Sequence, residues 1–312
     1  MLIRKATSLD IPNIIKLLKA SLGESMIPKS EILWNWKHID NPFGASLVIV
    51  AEDSGQLIGL RAFLRWDIME NGKTITCCRA VDTAIHPDYQ GKGLFKKLTI
   101  QLIEEIKADG IDLIFNTPNQ KSLPGYLSMG WEKWGKLPLK LEFHLSTKKN
   151  KHPLNPSDWT LIENIVFEIN QNPLGFHQSS TIKQPGYLKW RYLECPLFPY
   201  YFLSDGENYL IFYRIKEGKM GRELRITDLY YKTDLSEDKK IEAQESLKNS
   251  QRISGARFSS FSGLNYPLQN LISLGPLPIM KVGPLVTLRQ VNADIYPLDL
   301  NWNWSLGTLE LF

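Results

Sequence analysis

The stretch CCRAVDTAIHPDYQGKGLF, ending at Phe95, constrains the fold more than any other part of this 312-residue chain. Arg79 to Ile85 is rich in β-prone residues, and His86-Pro87-Asp88 stops the strand because proline cannot continue a ladder. Gln90-Gly91-Lys92-Gly93 then leads into apolar residues at helical spacing: Leu94, Phe95, Leu98, Leu102 and Ile106. A strand, a glycine loop and a helix in that order gather backbone N–H groups at a helix N-terminus. At the two glycines no side chain blocks approach. This is an anion cradle, suited to a phosphate or pyrophosphate, and Lys92 adds a positive charge beside it. By itself the stretch also fits a plain strand-to-helix turn.

The spacing Gln90-x-x-Gly93 resembles the acyl-CoA loop of the GNAT superfamily of N-acetyltransferases, with Phe95 where that family carries a small residue. A second segment, IDLIFNTPNQKSLPGYLSMGWEKWG, reads as a strand (Ile111 to Asn116), a loop and a short helix ending at Gly130. It too is similar to GNAT chains: Asn119, then Tyr126 seven positions on, then Gly130-Trp131. The resemblance covers Met1 to about Ser146 and implies an α/β fold on a mixed sheet. It also implies a co-substrate, acetyl-CoA or another acyl-CoA, and no metal. Thr83 and Ile85 would offer backbone groups to the pantetheine arm as an added strand would. Gln90, Gly91, Lys92, Gly93, Leu94 and Phe95 would cradle the pyrophosphate, and Asn119 would hydrogen-bond the CoA arm. Tyr126 falls where the family places the phenol that meets the leaving thiolate. Each residue also has a plainer use: Tyr126 as a packing aromatic, Asn119 as a turn or cap residue.

The chemistry sets further demands. An alkylamine has a pKa of about 10.4, so at pH 7 only about one molecule in two thousand is neutral and able to attack a thioester. A base or a desolvating pocket must supply the rest. Asp82, on the strand entering the loop, is the best-placed carboxylate, while His38 and His86 read more simply as packing and turn residues. The oxyanion needs a donor, which the Ile85 amide can offer in the GNAT arrangement. A phenol of pKa about 10 gives its proton to a thiolate of about 8.5 only at a cost of roughly 2 kcal/mol, so Tyr126 would serve better as a hydrogen-bond donor.

Elsewhere, Asp10 and Pro12 read as a helix start, Ser30 to Ile39 as a second helix carrying Trp34 and Trp36, and Leu47–Glu52, Gln56–Met69 and Lys73–Ile85 as antiparallel strands. Ser54-Gly55 and Asn71-Gly72 supply the turns. The expected division is an acetyltransferase domain over 1–147, a polar, proline-bearing linker over 148–156 and a second domain over 157–312. The second half repeats the first weakly. Leu188-Lys-Trp-Arg-Tyr-Leu-Glu-Cys-Pro196 lies over Trp34-Asn-Trp-Lys-His-Ile-Asp-Asn-Pro42, and Arg225-Ile-Thr-Asp228 lies over Arg79-Ala-Val-Asp82. Where the glycine loop should recur stands Asp234-Leu-Ser-Glu-Asp238, whose carboxylates repel a pyrophosphate. Two tandem GNAT-like domains are expected, the second without cofactor. An aspartate kept where no cofactor binds is more simply structural, which stands against Asp82 as the base.

Composition narrows the partners. A net charge of +4 without a concentrated basic face suits an anionic ligand and gives no case for nucleic acid. The three cysteines have no disulfide or metal spacing, no apolar run reaches membrane-spanning length, and MLIRKATSLDIPNII carries no signal-peptide core, so a cytoplasmic protein is expected. The leading function is an N-acyltransferase acting on a primary amine, an amino sugar or a peptide. The alternatives are a Fem-type aminoacyl transferase and a non-catalytic acyl-CoA-binding module.

Overall fold

The computed structural model describes residues 1–23, 27–144, 158–171, 178–264, 270–292 and 294–310, and they divide into two compact units. The first holds Met1–Gly135 and Leu285–Leu300. It opens with β1 (Leu2–Lys5), α1 (Ile11–Leu22) and α2 (Glu31–His38), followed by β2 (Leu47–Asp53), β3 (Gln56–Glu70) and β4 (Lys73–Ile85). Ser54 (φ 50°), Gly55 (79°), Asn71 (49°) and Gly72 (78°) have positive φ at both central turn positions. Such turns match the twist of the hairpins they join, which is why short polar-glycine pairs stand there. The chain then runs through α3 (Leu94–Ala108), β5 (Leu113–Asn116), α4 (Leu123–Ser128) and β6 (Glu132–Lys136).

The second unit starts at β7 (Leu139–Phe143), with α5 (Glu163–Gln171), β8 (Ser180–Thr181), β9 (Tyr201–Ser204), β10 (Tyr209–Gly218), β11 (Gly221–Tyr231), α6 (Glu237–Ser254) and β12 (Phe258–Ser262). Its strand order is β7-β12-β11-β10-β9. β11 and β12 are parallel with α6 between them in sequence, as β4 and β5 are with α3. After β12 comes β13 (Leu285–Gln290), which belongs to the first unit, and then α7 (Leu306–Leu309), which belongs to the second. The first unit's strand order is β1-β2-β3-β4-β5-β13-β6.

These units differ from the division expected at 147 and 157. β7, upstream of that boundary, pairs with β12, and β13, far downstream of it, pairs antiparallel with β5. Alternation marks both segments as strands but does not say which sheet edge each joins. The expected linker 148–156 lies outside the described residues.

In the first unit helices cover both sheet faces. Leu94, Leu98, Leu102, Ile103 and Ile106 of α3 pack with Ile58, Phe63, Cys78 and Ala80. Ile14, Ile15, Leu17 and Leu18 of α1 pack with Trp34, Val50, Leu60 and Ala84 on the other face. One local expectation changes: Asp10 occupies the cap position of α1 without a side-chain cap bond. Its carboxylate instead takes both Nη atoms of Arg4 at 2.8 Å, which holds it well below the usual carboxylate range.

Candidate active site

β4 and β5 pair only at Cys77↔Leu113, Cys78↔Ile114 and Arg79↔Phe115. Among the described residues β4 runs on to Ile85 paired with β3 alone, so the two parallel strands part and leave an edge of β4 without a strand neighbour over residues 80–85. An extended chain of alternating donors and acceptors, such as a pantetheine arm, can line such an edge. The Ile85 amide lies there and donates to Ser21 Oγ at 3.2 Å, so an incoming carbonyl must share or displace that hydroxyl.

The glycine loop follows. Gly91 (φ 73°) and Gly93 (φ 75°) both lie in the left-handed region, and a Cβ on either would meet nothing within 4 Å. The backbone demands glycine while the space around it is open. Gly93 caps α3 without a side chain, so the first amides of the helix face outward with no side-chain acceptor from the cap. Gln90 points back instead of out: Nε2 donates to Ile85 O at 3.1 Å and pins the loop to the strand end. Tyr89 OH donates to Asp53 Oδ2 at 2.8 Å, and the exposed Lys92 places Nζ 5.0 Å from the Tyr89 ring centroid. Leu94 is buried in the core, and Phe95 is half-buried.

Phe95 fits through a compensation the sequence did not announce. Its ring lies against Gly125 of α4, where an added Cβ would come within 2.8 Å of Phe95 Cε1, and meets the Tyr126 ring edge-on at 5.6 Å. The large residue in the loop is matched by the smallest residue on the helix opposite. Tyr126, 5% exposed, is held on its other side by Trp131 at 5.0 Å. Asn119 Oδ1 accepts from the amides of Lys121 and Ser122 at 2.9 Å, making it the turn residue that starts α4, and its Nδ2 takes no part in that turn.

Asp82 lies on the other face of β4. Its Oδ2 accepts from Lys37 Nζ at 2.9 Å and meets His38 Nε2 at 2.8 Å, while His38 Nδ1 meets Ser46 Oγ at 2.9 Å. Burial by itself would raise the Asp82 carboxyl, but the Lys37 charge and the His38 hydrogen bond outweigh it and hold it well below the usual range. Burial pushes Lys37 and His38 down, against the pull of Asp82. A carboxylate so stabilised is a weak base. His86 is a turn residue, its Nδ1 accepting from the Asp88 amide at 3.4 Å. Lys37 escaped the sequence reading because one lysine on a short helix looks like a solvated charge.

Thus the loop, the β4 edge and Tyr126 surround one region, and Asp82 faces away from Tyr126 across the strand. A cavity of about 20 Å³ beside Asp82, lined by Lys29, Trp34, Lys37 and His38, has room for no more than a water. A larger one of about 270 Å³, lined by Thr7, Ile14, Trp34, His38 and Ser46, touches neither Tyr126 nor the loop. Trp34, Trp36 and Trp66 are core residues. Burial pushes the Cys78 thiol up to about 12 and Cys77 well above its ordinary value, so neither is a nucleophile at neutral pH. Among the described residues, no group of three His, Cys, Asp or Glu could hold a metal, and no helix is long and apolar enough to cross a membrane.

Comparison with known proteins agrees with this geometry. A family profile described as acetyltransferase (GNAT) domain matches residues 2–134. The L-amino acid N-acyltransferase MnaT of Escherichia coli (strain K12) is 33% identical over 94 residues, which are 29% of this chain and 53% of that protein. The chain therefore spans about half the length of the curated relative it matches. A probable N-acyltransferase from Enterococcus faecalis V583 superposes with a TM-score of 0.66 at 14% identity, covering 93% of this chain and 73% of the other. A GCN5-related N-acetyltransferase from Anabaena variabilis ATCC 29413 gives 0.64 at 19% identity, with the same two coverages, 93% and 73%. At such identities the two structures speak for the fold. Residues 2–134 thus carry a GNAT domain match, and the fold is like that of the two solved structures through most of the chain's length.

Proposed function

We propose that the protein is an acyl-CoA-dependent N-acyltransferase, its donor most simply acetyl-CoA and its acceptor a primary amine. The observation that carries this reading is the parting of β4 from β5 directly above the uncapped, twice-glycine start of α3. A pantetheine arm lies along residues 80–85, with Thr83 and Ile85 offering backbone groups. The pyrophosphate sits on the amides of Gln90 to Phe95, beside Lys92. Asn119 Nδ2 bonds the CoA arm, and Tyr126 gives the departing sulfur a hydrogen bond. The amine attacks from the face opposite Tyr126, where Asp82 lies. Asp82 is too well stabilised to take a proton readily, so its part is to hold Lys37 and His38 and to draw an ammonium toward the cleft. The amine's proton then passes to solvent, a loss that a desolvating wall around the nitrogen favours. The L-amino acid acceptor named for the Escherichia coli relative makes amino acids the first class to try.

The test is thiol release from acetyl-CoA with pooled amines, amino acids first, for the wild type and Tyr126→Phe. Amine-dependent thiol release is expected, with kcat about a hundredfold lower in the variant and CoA affinity kept. CoA binding without turnover on any amine would replace the enzyme with a binding module. Equal kcat in both proteins, where chemistry limits the rate, would remove Tyr126 from the mechanism.

A further inference from the structure

Arg61 lies on β3 with 0% exposure, on the sheet face that carries α3 and Tyr126. Its guanidinium carbon is 4.6 Å from the Phe63 ring centroid, 5.4 Å from Tyr126 and 5.8 Å from Phe95. Nη1 donates to Thr83 Oγ1 and, at 3.4 Å, to Val81 O. Nε and Nη2 are buried without a hydrogen-bond partner, and none of the described carboxylates forms an ion pair with the group.

Half of this has a local cause. β3 and β4 pair at Phe63↔Ala80 and again at Arg61↔Thr83, so Val81 and Asp82 together stand opposite Ala62. That bulge frees the Val81 carbonyl from the ladder, and Arg61 answers it. The bulge explains Nη1. It does not explain a full positive charge out of water, with two donors unmet and the rings of Phe63, Tyr126 and Phe95 facing it. A glutamine could satisfy the same carbonyl without the cost of burying a charge.

We infer that Arg61 is the charge that answers the sulfur as it leaves, a role that rests on the acyltransferase reading. In that step the amine nitrogen forms a bond to the thioester carbonyl carbon and the C–S bond breaks. The bonding pair goes to sulfur, and the amine's proton goes to base or solvent. Sulfur leaves as thiolate, hydrogen-bonded by Tyr126. Arg61 stands behind the Tyr126 ring, in surroundings of low polarity where a cation acts at longer range than in water. It stabilises the thiolate through space and through Tyr126, without donating a proton. Arg61 is therefore a positioning residue. Its full burial also argues against a negatively charged acyl group as its partner, since such a group would have to reach it directly.

The readout is the ultraviolet absorbance of the CoA thiolate, followed against pH on the full chain saturated with CoA. Wild type, Arg61→Lys, Arg61→Met and Thr83→Val are compared. In the wild type the bound thiol should titrate about one unit below the ordinary value near 8.5, a tenfold gain in acid dissociation. Arg61→Met should abolish that shift and Arg61→Lys should keep most of it. Thr83→Val breaks the bulge anchor but leaves the charge, so it should keep the shift as well. A wild-type thiol that titrates like free CoA overturns the inference even if Arg61→Met does not fold. So does a Thr83→Val variant that loses as much as Arg61→Met, because the role would then be only to hold the bulge. CoA binding with no thiol shift overturns Arg61 alone, whereas failure of the wild type to bind CoA at all overturns the acyltransferase reading with it.

Discussion

The two units place an aspartate at the same point of the same motif and surround it differently. In the first, β4 bulges at Val81-Asp82 before α3. In the second, β11 carries one extra residue at Thr227, beside Asp228, before α6. Asp82 is met by the Lys37 and His38 side chains of α2. Asp228 accepts from Tyr192 OH at 2.6 Å and Tyr230 OH at 3.0 Å, with Tyr192 on the short helical turn Lys189–Leu193 that aligns with α2. One carboxylate is paired directly with a charge, the other with hydroxyls, the buried Lys183 acting on it only from beyond ion-pair distance. The helix starts diverge as well. α3 begins at Gly93 with no capping side chain, whereas α6 begins at Ser236, whose Oγ accepts from the Lys239 amide at 3.4 Å, with Glu237 and Asp238 in its first turn. The same positive helix end is left open to a ligand in one unit and filled by the protein's own oxygens in the other. An aspartate kept in both fits a use in the scaffold, and under the proposed function the glycines kept in one serve the ligand.

The largest effect that could break this contrast is on stability. Asp82→Asn leaves a buried lysine without its anion and should cost about 3–5 kcal/mol. Asp228→Asn keeps an acceptor for its tyrosines and should cost about 1 kcal/mol. Urea unfolding of both variants measures this, and equal losses would dissolve the difference between ionic and hydroxyl support. Acid sharpens it. The folded Asp82 carboxyl is depressed, so its contribution is complete above the ordinary carboxylate pKa of about 3.9 and is lost as pH falls below it. The wild type should lose stability on acidification more steeply than Asp82→Asn.

Ligand binding comes next. Gly93→Glu puts a side chain and a negative charge into the open helix start, and should lower CoA affinity at least tenfold, roughly 1.4 kcal/mol, beside a stability cost of about 1–2 kcal/mol for a non-glycine residue at positive φ. Calorimetry of the wild type should give one CoA per chain. Two per chain would mean that the filled start of α6 is no barrier.

The smallest effect is the mirror experiment. Ser236→Ala removes a helix cap and should cost about 1 kcal/mol of stability with CoA affinity unchanged. A drop in CoA affinity would tie the second unit's helix start to the cofactor.

Where the signal was local, the sequence was enough. The two polar-glycine turns, the apolar spacing of α3 and the Gly91/Gly93 loop all appear where the residues put them, because each follows from backbone preference over a few positions. The site's support did not show. Arg61 reads as one polar residue on a strand, Gly125 as a turn former beside Pro124, and Ser21 as the end of a helix. Their meaning comes from partners 22, 30 and 64 positions away: Thr83, Phe95 and Ile85. The exchange of β7 and β13 was hidden for the same reason. Strand pattern tells which residues face a core, not which neighbour completes the ladder.

That exchange bears on how the protein is made. The outer edge of β5 is paired by Thr287–Gln290, so the sheet that holds the glycine loop lacks its next strand until residues 287–290 have left the ribosome. Synthesis adds roughly 5–20 residues per second, so the nascent first unit waits about ten to thirty seconds with an unpaired edge. A bare edge in a half-finished sheet invites pairing with another chain. The late strand thus makes completion of this sheet wait on a segment far along the chain, and shielding of the open edge in that interval is part of the cost of this chain order.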